Sequence, residues 1–107
     1  MPSFKPVMVT TTTATREEAE IIGLKLLEKQ LAACVQYDTI RSHYVWQGEV
    51  CCDEEIRLTI KTARCHYKKI EKIIRTHHSY DCPQILMLPV ARGFMPYLRW
   101  LKAQLGL

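Results

Sequence analysis

Two adjacent histidines, His77 and His78, carry the clearest ligand chemistry in this chain. Neutral imidazole binds copper, zinc and nickel well, and histidine is the commonest metal ligand among protein side chains. The pair therefore predicts a contact with copper or another divalent metal ion. The same residues allow a second interpretation, in which His78 and Tyr80 support a subunit interface through hydrogen bonds while His77 faces water.

A second group of aromatic and charged side chains lies elsewhere in the sequence: Trp46, Glu49, Glu55, Lys61 and Tyr80. Glu55 and Lys61 are an even number of positions apart, so they share one face of a strand. Side chains of these types could line a cleft between subunits and bind an anionic or zwitterionic ligand. An ion pair across an interface is the alternative, because structural ion pairs arrange charges in the same way.

No motif for covalent catalysis can be defended in this sequence. It contains no Ser-His-Asp or Cys-His nucleophile pattern, and its four glycines are dispersed rather than gathered into a phosphate-binding loop. Its five cysteines are an odd number without a Cys-x-x-Cys spacing, which predicts free thiols, several of them buried. We therefore expect a protein that is not an enzyme.

Length and composition predict one domain over residues 1–107, large enough for a single hydrophobic core. Apolar residues at 48% and charged residues at 24% are ordinary for a globular protein. The net charge of +4 is mild and does not form a concentrated patch, so no nucleic-acid partner is predicted. The N-terminal residues lack an apolar signal region, and no apolar run reaches membrane-spanning length, which favours a cytoplasmic protein with no membrane partner.

The elements that must position these residues begin with a β-branched strand over residues 7–12 and a helix over about residues 16–31. Thr15 and Glu18 match a capping box, in which the hydroxyl and the carboxylate both cover free amides at the start of the helix. Three leucines should widen the apolar stripe of this helix: Leu24, Leu27 and Leu31.

Two long strands follow, and together they predict a hairpin. Residues 34–46 are rich in Val, Tyr, Thr and Ile, and Gln47-Gly48 supplies a tight turn. The return strand alternates, with Ile56, Leu58 and Ile60 on one face. A hairpin this long projects beyond a small domain, so the apolar side chains at its tip are left in water unless another surface covers them. These side chains are Tyr44, Val45, Trp46 and Val50.

The second half of the chain predicts a helix over about residues 63–76, with Ile70 and Ile74 facing inward. Residues 84–90 form a strand that is hydrophobic on both faces, in which Pro89 indicates an edge position. A short helix then closes the chain. The order β-α-β-β-α-β plus a helix predicts an α+β, ferredoxin-like fold. An apolar edge strand promotes aggregation unless it is covered, so the pattern also indicates an oligomer.

Several short motifs, in their order and spacing, resemble the CutA family over nearly the whole chain. They are Leu31-Ala32-Ala33-Cys34-Val35, Tyr44-x-Trp46-x-Gly48-Glu49, Glu55, Lys61-Thr62, His78-x-Tyr80-x-x-Pro83-x-Ile85, Pro89-Val90-x-x-Gly93 and Tyr97-Leu98-x-Trp100. Any one of these fragments is a weak signal, whereas their shared order makes the resemblance specific.

This resemblance implies a ferredoxin-like homotrimer, with the long hairpins wrapping between subunits, and a cytoplasmic role in tolerance of copper and other divalent cations. In the family, copper ligation is attributed to a histidine pair, here His77 and His78, with a cysteine near the end of the first strand. The matching position in this chain is Thr11, and a hydroxyl is a poor ligand for Cu(I), which prefers sulfur. Cys82, four residues after His78, is the alternative sulfur ligand.

A protein of another class is the alternative function. Trimeric ferredoxin-like signalling proteins bind small effectors in clefts between subunits. Under that hypothesis the region of Trp46, Glu55 and Lys61 is the functional site, and the histidines are secondary to it.

Overall fold

The computed structural model describes residues 4–107, which form one antiparallel sheet and three α-helices. The elements are β1 (Pro6–Thr13), α1 (Arg16–Glu28), β2 (Cys34–Trp46), β3 (Glu49–Ala63), α2 (Tyr67–His77), β4 (Ile85–Pro89) and α3 (Met95–Gln104). The strand order is β2-β3-β1-β4, and every neighbouring pair is antiparallel. The predicted α+β class, the long hairpin and the C-terminal helix are thereby confirmed.

The hydrophobic core lies between one face of the sheet and the helices α1 and α2. Alternate residues of β1 and β3 point into it, as the period of two requires. The helices contribute residues spaced three or four apart, which lie on one helical face. The side chains excluded from water in this way are Val7, Val9, Ile22, Leu26, Leu58, Ile60, Ile70 and Ile74.

Helix α1 begins as predicted but ends three residues early. The Thr15 hydroxyl accepts a hydrogen bond from the Glu18 amide at 3.2 Å, which caps the first turn. At the other end Gln30 adopts a left-handed backbone conformation (φ 55°), so the chain leaves the helix and Leu31 turns back into the core. The C-terminal limit of the helix is therefore set by this turn and not by the apolar pattern.

The expectation that Leu24 and Leu27 would widen the buried stripe of α1 is wrong. Leu24 is 62% exposed and Leu27 is 38% exposed. Helix α1 contacts both the sheet and α2, but it buries only a narrow stripe formed by Ala19, Ile22 and Leu26. The outward leucines therefore contribute little to the stability of the protomer.

The β2–β3 hairpin extends well beyond the rest of the molecule. Gln47 and Gly48 both have positive φ (51° and 81°), as a two-residue type I′ turn requires. Residues 49–55 pair only with β2, so the hairpin projects ~23 Å past β1 at about 3.3 Å per residue. The molecule accordingly measures 47 × 26 × 22 Å. Val45 and Val50 at the tip are 70% and 77% exposed, which confirms the predicted apolar tip.

Strand β4 lies at an edge of the sheet, as Pro89 indicated. Ile85 and Met87 pack against the core, while Leu86 and Leu88 are about half exposed on the sheet face opposite α1 and α2. Both faces of this strand are therefore apolar, and one of them lacks cover within the protomer.

The sequence predictions for the cysteines are correct for their oxidation state and wrong for their burial. All five cysteines are free, as predicted, but the expectation that several are buried is wrong, since three are exposed and two are half-buried. Cys51 and Cys52 lie in the projecting hairpin, and Cys65 and Cys82 lie in connecting segments, where no core packs around them.

None of the helices within residues 4–107 has the length and hydropathy that a membrane-spanning helix needs.

We predict that Leu58→Ala destabilises the protein by about 2–5 kcal/mol, because Leu58 is fully buried in a central strand and its truncation leaves a cavity. Leu24→Ala is the matched control, since it removes the same atoms from a side chain that is 62% exposed. The control should change the free energy of unfolding by less than about 0.5 kcal/mol. Urea unfolding at one fixed protein concentration measures both, and equal losses would contradict the assigned core.

Candidate functional site

The histidine that follows α2 is a buried structural link between the loop and β1. The side chain of His78 is excluded from solvent. Its Nε2 donates to the backbone carbonyl of Thr12 at 2.7 Å, and its Nδ1 accepts from the Tyr80 amide at 3.1 Å. A carbonyl can only accept and an amide can only donate, so the ring is the neutral Nε2–H tautomer. Both ring nitrogens of His78 are therefore already occupied.

Glu18 completes this link from the first turn of α1. Its Oε1 accepts hydrogen bonds from the Ser79 amide at 2.8 Å and the Ser79 hydroxyl at 3.2 Å, and lies 3.4 Å from Nδ1 of His78. The predicted second half of the capping box is therefore wrong, because this carboxylate turns to the loop rather than to its own helix start. The contact connects two segments 61 positions apart and fixes the direction in which the chain leaves α2.

His77 has a different environment, although it is adjacent in sequence. Its Nδ1 donates to the carbonyl of Ile73 at 3.0 Å, one turn back along α2. The half-buried ring therefore keeps a lone pair on Nε2 that can bind a metal ion. Of the predicted pair, His77 retains ligand capacity, whereas His78 would have to give up a hydrogen bond to bind a metal.

A resident metal centre does not fit the described part of one protomer. Thr11, at the position where a cysteine was expected, is fully buried on the sheet face that carries α1 and α2, and its hydroxyl has no hydrogen-bond partner among residues 4–107. Cys82 is exposed. Over the same residues no group of three or more His, Cys, Asp or Glu side chains is placed to hold one ion. The described residues of one protomer therefore offer no complete ligand set for a resident metal ion.

The loop after His78 places Tyr80 against the base of the hairpin. The Tyr80 hydroxyl donates to Oε2 of Glu55 at 2.9 Å, and its ring lies 4.8 Å from that of His78. Burial raises the pKa of Tyr80 above its usual range, and the hydrogen bond to Glu55 raises it further. This phenol is therefore held protonated and donates to a carboxylate.

A second tyrosine–carboxylate pair lies nearby on the hairpin. The Tyr44 hydroxyl donates to the Asp53 carboxylate across the β2–β3 ladder. This hydrogen bond raises the pKa of Tyr44 to about 12. Neither Tyr44 nor Asp53 was singled out from the sequence as part of a site. The available signal was the two-residue turn, because it pairs Tyr44 with Cys51 and so places Asp53, two residues further along β3, on the same face as Tyr44.

These side chains surround a cleft of about 510 Å³ where the hairpin leaves the domain. Its walls combine aromatic, hydroxyl and acidic groups contributed by β1, β2, β3 and the loop before β4. The residues are Thr12, Ser42, His43, Tyr44, Trp46, Glu55, Tyr80, Asp81, Cys82 and Gln84. The structure thus brings together three of the five side chains predicted to form a cleft, namely Trp46, Glu55 and Tyr80.

The other two predicted cleft residues lie elsewhere in the protomer. Glu49 is exposed beside the turn, paired with Trp46 across the ladder. Lys61 shares a strand face with Glu55, but six residues of strand separate them by ~20 Å. Its Nζ lies over the ring of Tyr97 at 5.6 Å from the centroid. Within the described residues, therefore, Glu55 and Lys61 neither form an ion pair nor line one cleft.

Comparisons with known proteins place this architecture among proteins of one kind. A sequence profile described as "CutA1 divalent ion tolerance protein" matches residues 7–104. The chain is 38% identical over 100 residues to the divalent-cation tolerance protein CutA of Thermus thermophilus, covering 92% of this chain and 97% of that protein. It is 36% identical over 90 residues to the protein of the same name from Archaeoglobus fulgidus, covering 84% and 88% respectively.

The structural comparison agrees with the sequence comparison. A solved structure described as "Periplasmic divalent cation tolerance protein CutA from Archaeoglobus fulgidus" has a TM-score of 0.91 and 32% sequence identity. The aligned region covers 94% of this chain and 98% of the Archaeoglobus fulgidus chain. The similarity therefore extends over the sheet, the helices and the hairpin.

We predict that the hydrogen bond between Tyr44 and Asp53 makes stability depend on pH in alkaline solution. The folded pKa of about 12 exceeds the ordinary value of 10.0, so the folded state keeps this proton longer than the unfolded chain does. The hydrogen bond therefore contributes fully to the stability of the folded state below pH 10, and this contribution is lost as pH rises towards 12. The stability difference between wild type and Tyr44→Phe should therefore shrink across that interval.

Melting temperatures of the two proteins across the interval test this prediction. Ultraviolet titration of tyrosinate gives an independent measurement, because Tyr44→Phe should remove a late ionisation. If the substitution removes an ionisation near pH 10 instead, the hydrogen bond does not hold in solution.

Proposed function

Because this chain belongs to the CutA1 divalent ion tolerance protein family, we propose that it acts in divalent-cation tolerance as a cytoplasmic homotrimer of ferredoxin-like subunits. The observation that carries the proposal is the match of the family profile over residues 7–104, which extends from β1 to the end of α3. The cytoplasmic location is inferred from the sequence alone.

The trimer is supported by apolar surface that one protomer leaves in water. The hairpin tip, the outer face of β4 and the start of α3 all present large apolar side chains, including Val50 at 77% and Phe94 at 75% exposure. Exposed apolar side chains in such groups are typical of protein interfaces. A hairpin projecting ~23 Å also needs a neighbouring surface, since an isolated two-stranded hairpin is only marginally stable in water.

Metal contact is proposed at Nε2 of His77, the ring nitrogen of the histidine pair that is not already bonded. One imidazole is a weak site by itself, so the remaining ligands would be water or groups of another subunit. His78 would instead hold the loop in place through its bonds to Thr12 and Tyr80. This arrangement suits reversible contact with copper or another divalent ion better than a permanent centre.

A second candidate function is the sensing of a small molecule, which the cleft at Glu55 favours. Its volume of about 510 Å³ lies within the usual range for small-molecule sites, about 300–1,000 Å³. This function is compatible with cation tolerance, because the cleft and His77 use different side chains.

The assembly is tested by sedimentation equilibrium. We expect a mass three times the 12.5 kDa of the chain at micromolar concentration. Val50→Asp should weaken the trimer, because it places a charge on the apolar hairpin tip, whereas Leu24→Asp, the same kind of change on the outer face of α1, should not. A monomeric wild type, or equal effects of the two substitutions, would refute this assembly.

Metal contact is tested by calorimetric titration with Cu(II) and Zn(II). We expect His77→Ala to weaken binding by at least about tenfold, as disturbing a metal site commonly does. His78→Ala should retain the affinity but lower the melting temperature, since it removes two hydrogen bonds worth about 1 kcal/mol each. His66→Ala is the control for loss of an imidazole elsewhere. Wild-type affinity in His77→Ala would eliminate this assignment.

A further inference from the structure

The cleft at the base of the hairpin is acidic, although the chain carries a net charge of +4. Its formally charged lining residues are Glu55 and Asp81, and Asp53 lies beside it in contact with Tyr44. Among residues 4–107, neither lysine nor arginine lines it. The anionic or zwitterionic ligand expected from the sequence depended on Lys61, which lies over Tyr97 and not in this cleft, so the local charge favours a cation.

Glu55 is the most constrained of these carboxylates. It is only 9% exposed, and within residues 4–107 no lysine or arginine forms an ion pair with it. The nearest arginine on the same strand face, Arg57, instead makes two hydrogen bonds to Asp38, at 2.7 and 3.1 Å. A carboxylate removed from water without a cation is costly, and a positively charged ligand would remove much of that cost.

The aromatic walls favour the same class of ligand. Tyr44, Trp46 and Tyr80 all line the cleft, and a cation is attracted to the face of such rings, most strongly to that of tryptophan. The hydroxyls of both tyrosines already donate to carboxylates, so they are not available as donors to an anion. What remains for a ligand is aromatic surface beside negative charge.

A bare or hydrated metal ion matches this cleft poorly. Divalent cations of the calcium and magnesium type require about six oxygen ligands or ordered waters. One oxygen of Glu55 is taken by Tyr80, and within residues 4–107 no group of three acidic, histidine or cysteine side chains converges on one point. Apolar ring faces also cannot replace lost water ligands. An organic cation, which carries its charge on a carbon-rich body, has no such requirement.

We propose that this cleft binds a small organic cation, either a protonated amine or a quaternary ammonium, with its charge beside Glu55 and its carbon body against Trp46 and Tyr80. The volume of about 510 Å³ admits a molecule of metabolite size. This inference names the ligand class for the small-molecule-sensing candidate and rests on that candidate. It does not depend on metal contact at His77.

Titration of the full chain with tetramethylammonium and butylammonium chloride tests the proposal, with sodium acetate at equal ionic strength as the anionic probe. Binding is measured by calorimetry and by tryptophan fluorescence. Saturable binding of the ammonium probes, and none of acetate, is expected. Trp46→Leu should abolish the fluorescence change, whereas Trp100→Leu, which alters the tryptophan of α3, should preserve it.

Glu55→Gln provides the decisive variant, because its amide oxygen can still accept from Tyr80 while the charge is lost. We expect affinity for the ammonium probes to fall by about tenfold, equivalent to about 1.4 kcal/mol. Glu54→Gln is the matched control, since it makes the same change at the next residue, whose side chain points to the opposite face of β3. It should bind as wild type does, and melting curves confirm that both variants are folded.

Three results would overturn the proposal: no saturable binding of either ammonium ion, preferential binding of acetate, or equal losses in Glu55→Gln and Glu54→Gln. If a second copy of the chain fills the cleft in the assembled protein, neither ammonium ion will show saturable binding. The metal titration and the sedimentation experiment keep the two functions distinguishable. If metal binding depends on His77 but the cleft binds no ammonium ion, the proposed role in cation tolerance stands and only the proposed organic-cation site is refuted.

Discussion

The structure depends on one strand, β3, that is longer than the domain around it. Its second half pairs with β1 and, over residues 56–61, also with β2, and it places Leu58 and Ile60 in the core. Its first half continues into solvent, and within residues 4–107 β2 is the only strand paired with it. Because the ladder is continuous, the register fixed by the buried half also dictates the orientation of every side chain in the exposed half. A slip by one residue would move Glu55 to the other face and remove the acidic floor of the cleft.

The loop after α2 is the second determinant of the site, and it is held by buried polar contacts rather than by apolar packing. His78 connects it to the end of β1, and Glu18 connects it to the start of α1. With both ends of the link fixed, Tyr80 has little freedom, and its hydroxyl reaches Glu55. A residue that draws attention as a metal ligand thus has a mainly architectural role, whereas its neighbour His77 keeps a free ring nitrogen.

Most of the fold could be predicted from the sequence, because strands and helix starts leave local patterns. The alternation of Ile56, Leu58 and Ile60 identified β3, and Thr15 marked the start of α1. The candidate site was less predictable, since it depends on pairs distant in sequence, such as Glu18 with Ser79 and Tyr44 with Asp53. Parity placed Glu55 and Lys61 on one face, but six residues of strand, ~20 Å, keep them from lining one cleft. Leu24 was predicted to be buried from its apolar character and helical spacing, but it is exposed because α1 buries only a narrow stripe.

The projecting hairpin has a mechanical consequence. It is attached to the domain at one end, so it behaves as a lever whose pivot lies beside Glu55 and whose far end carries Val45 and Val50. A rotation of about 5° at the pivot displaces a point ~23 Å away by ~2 Å, more than half the rise of one strand residue. A displacement of that size is enough to disrupt close packing between surfaces. The aromatic and acidic groups at the pivot therefore lie where a small rotation of the hairpin is amplified at its exposed apolar tip.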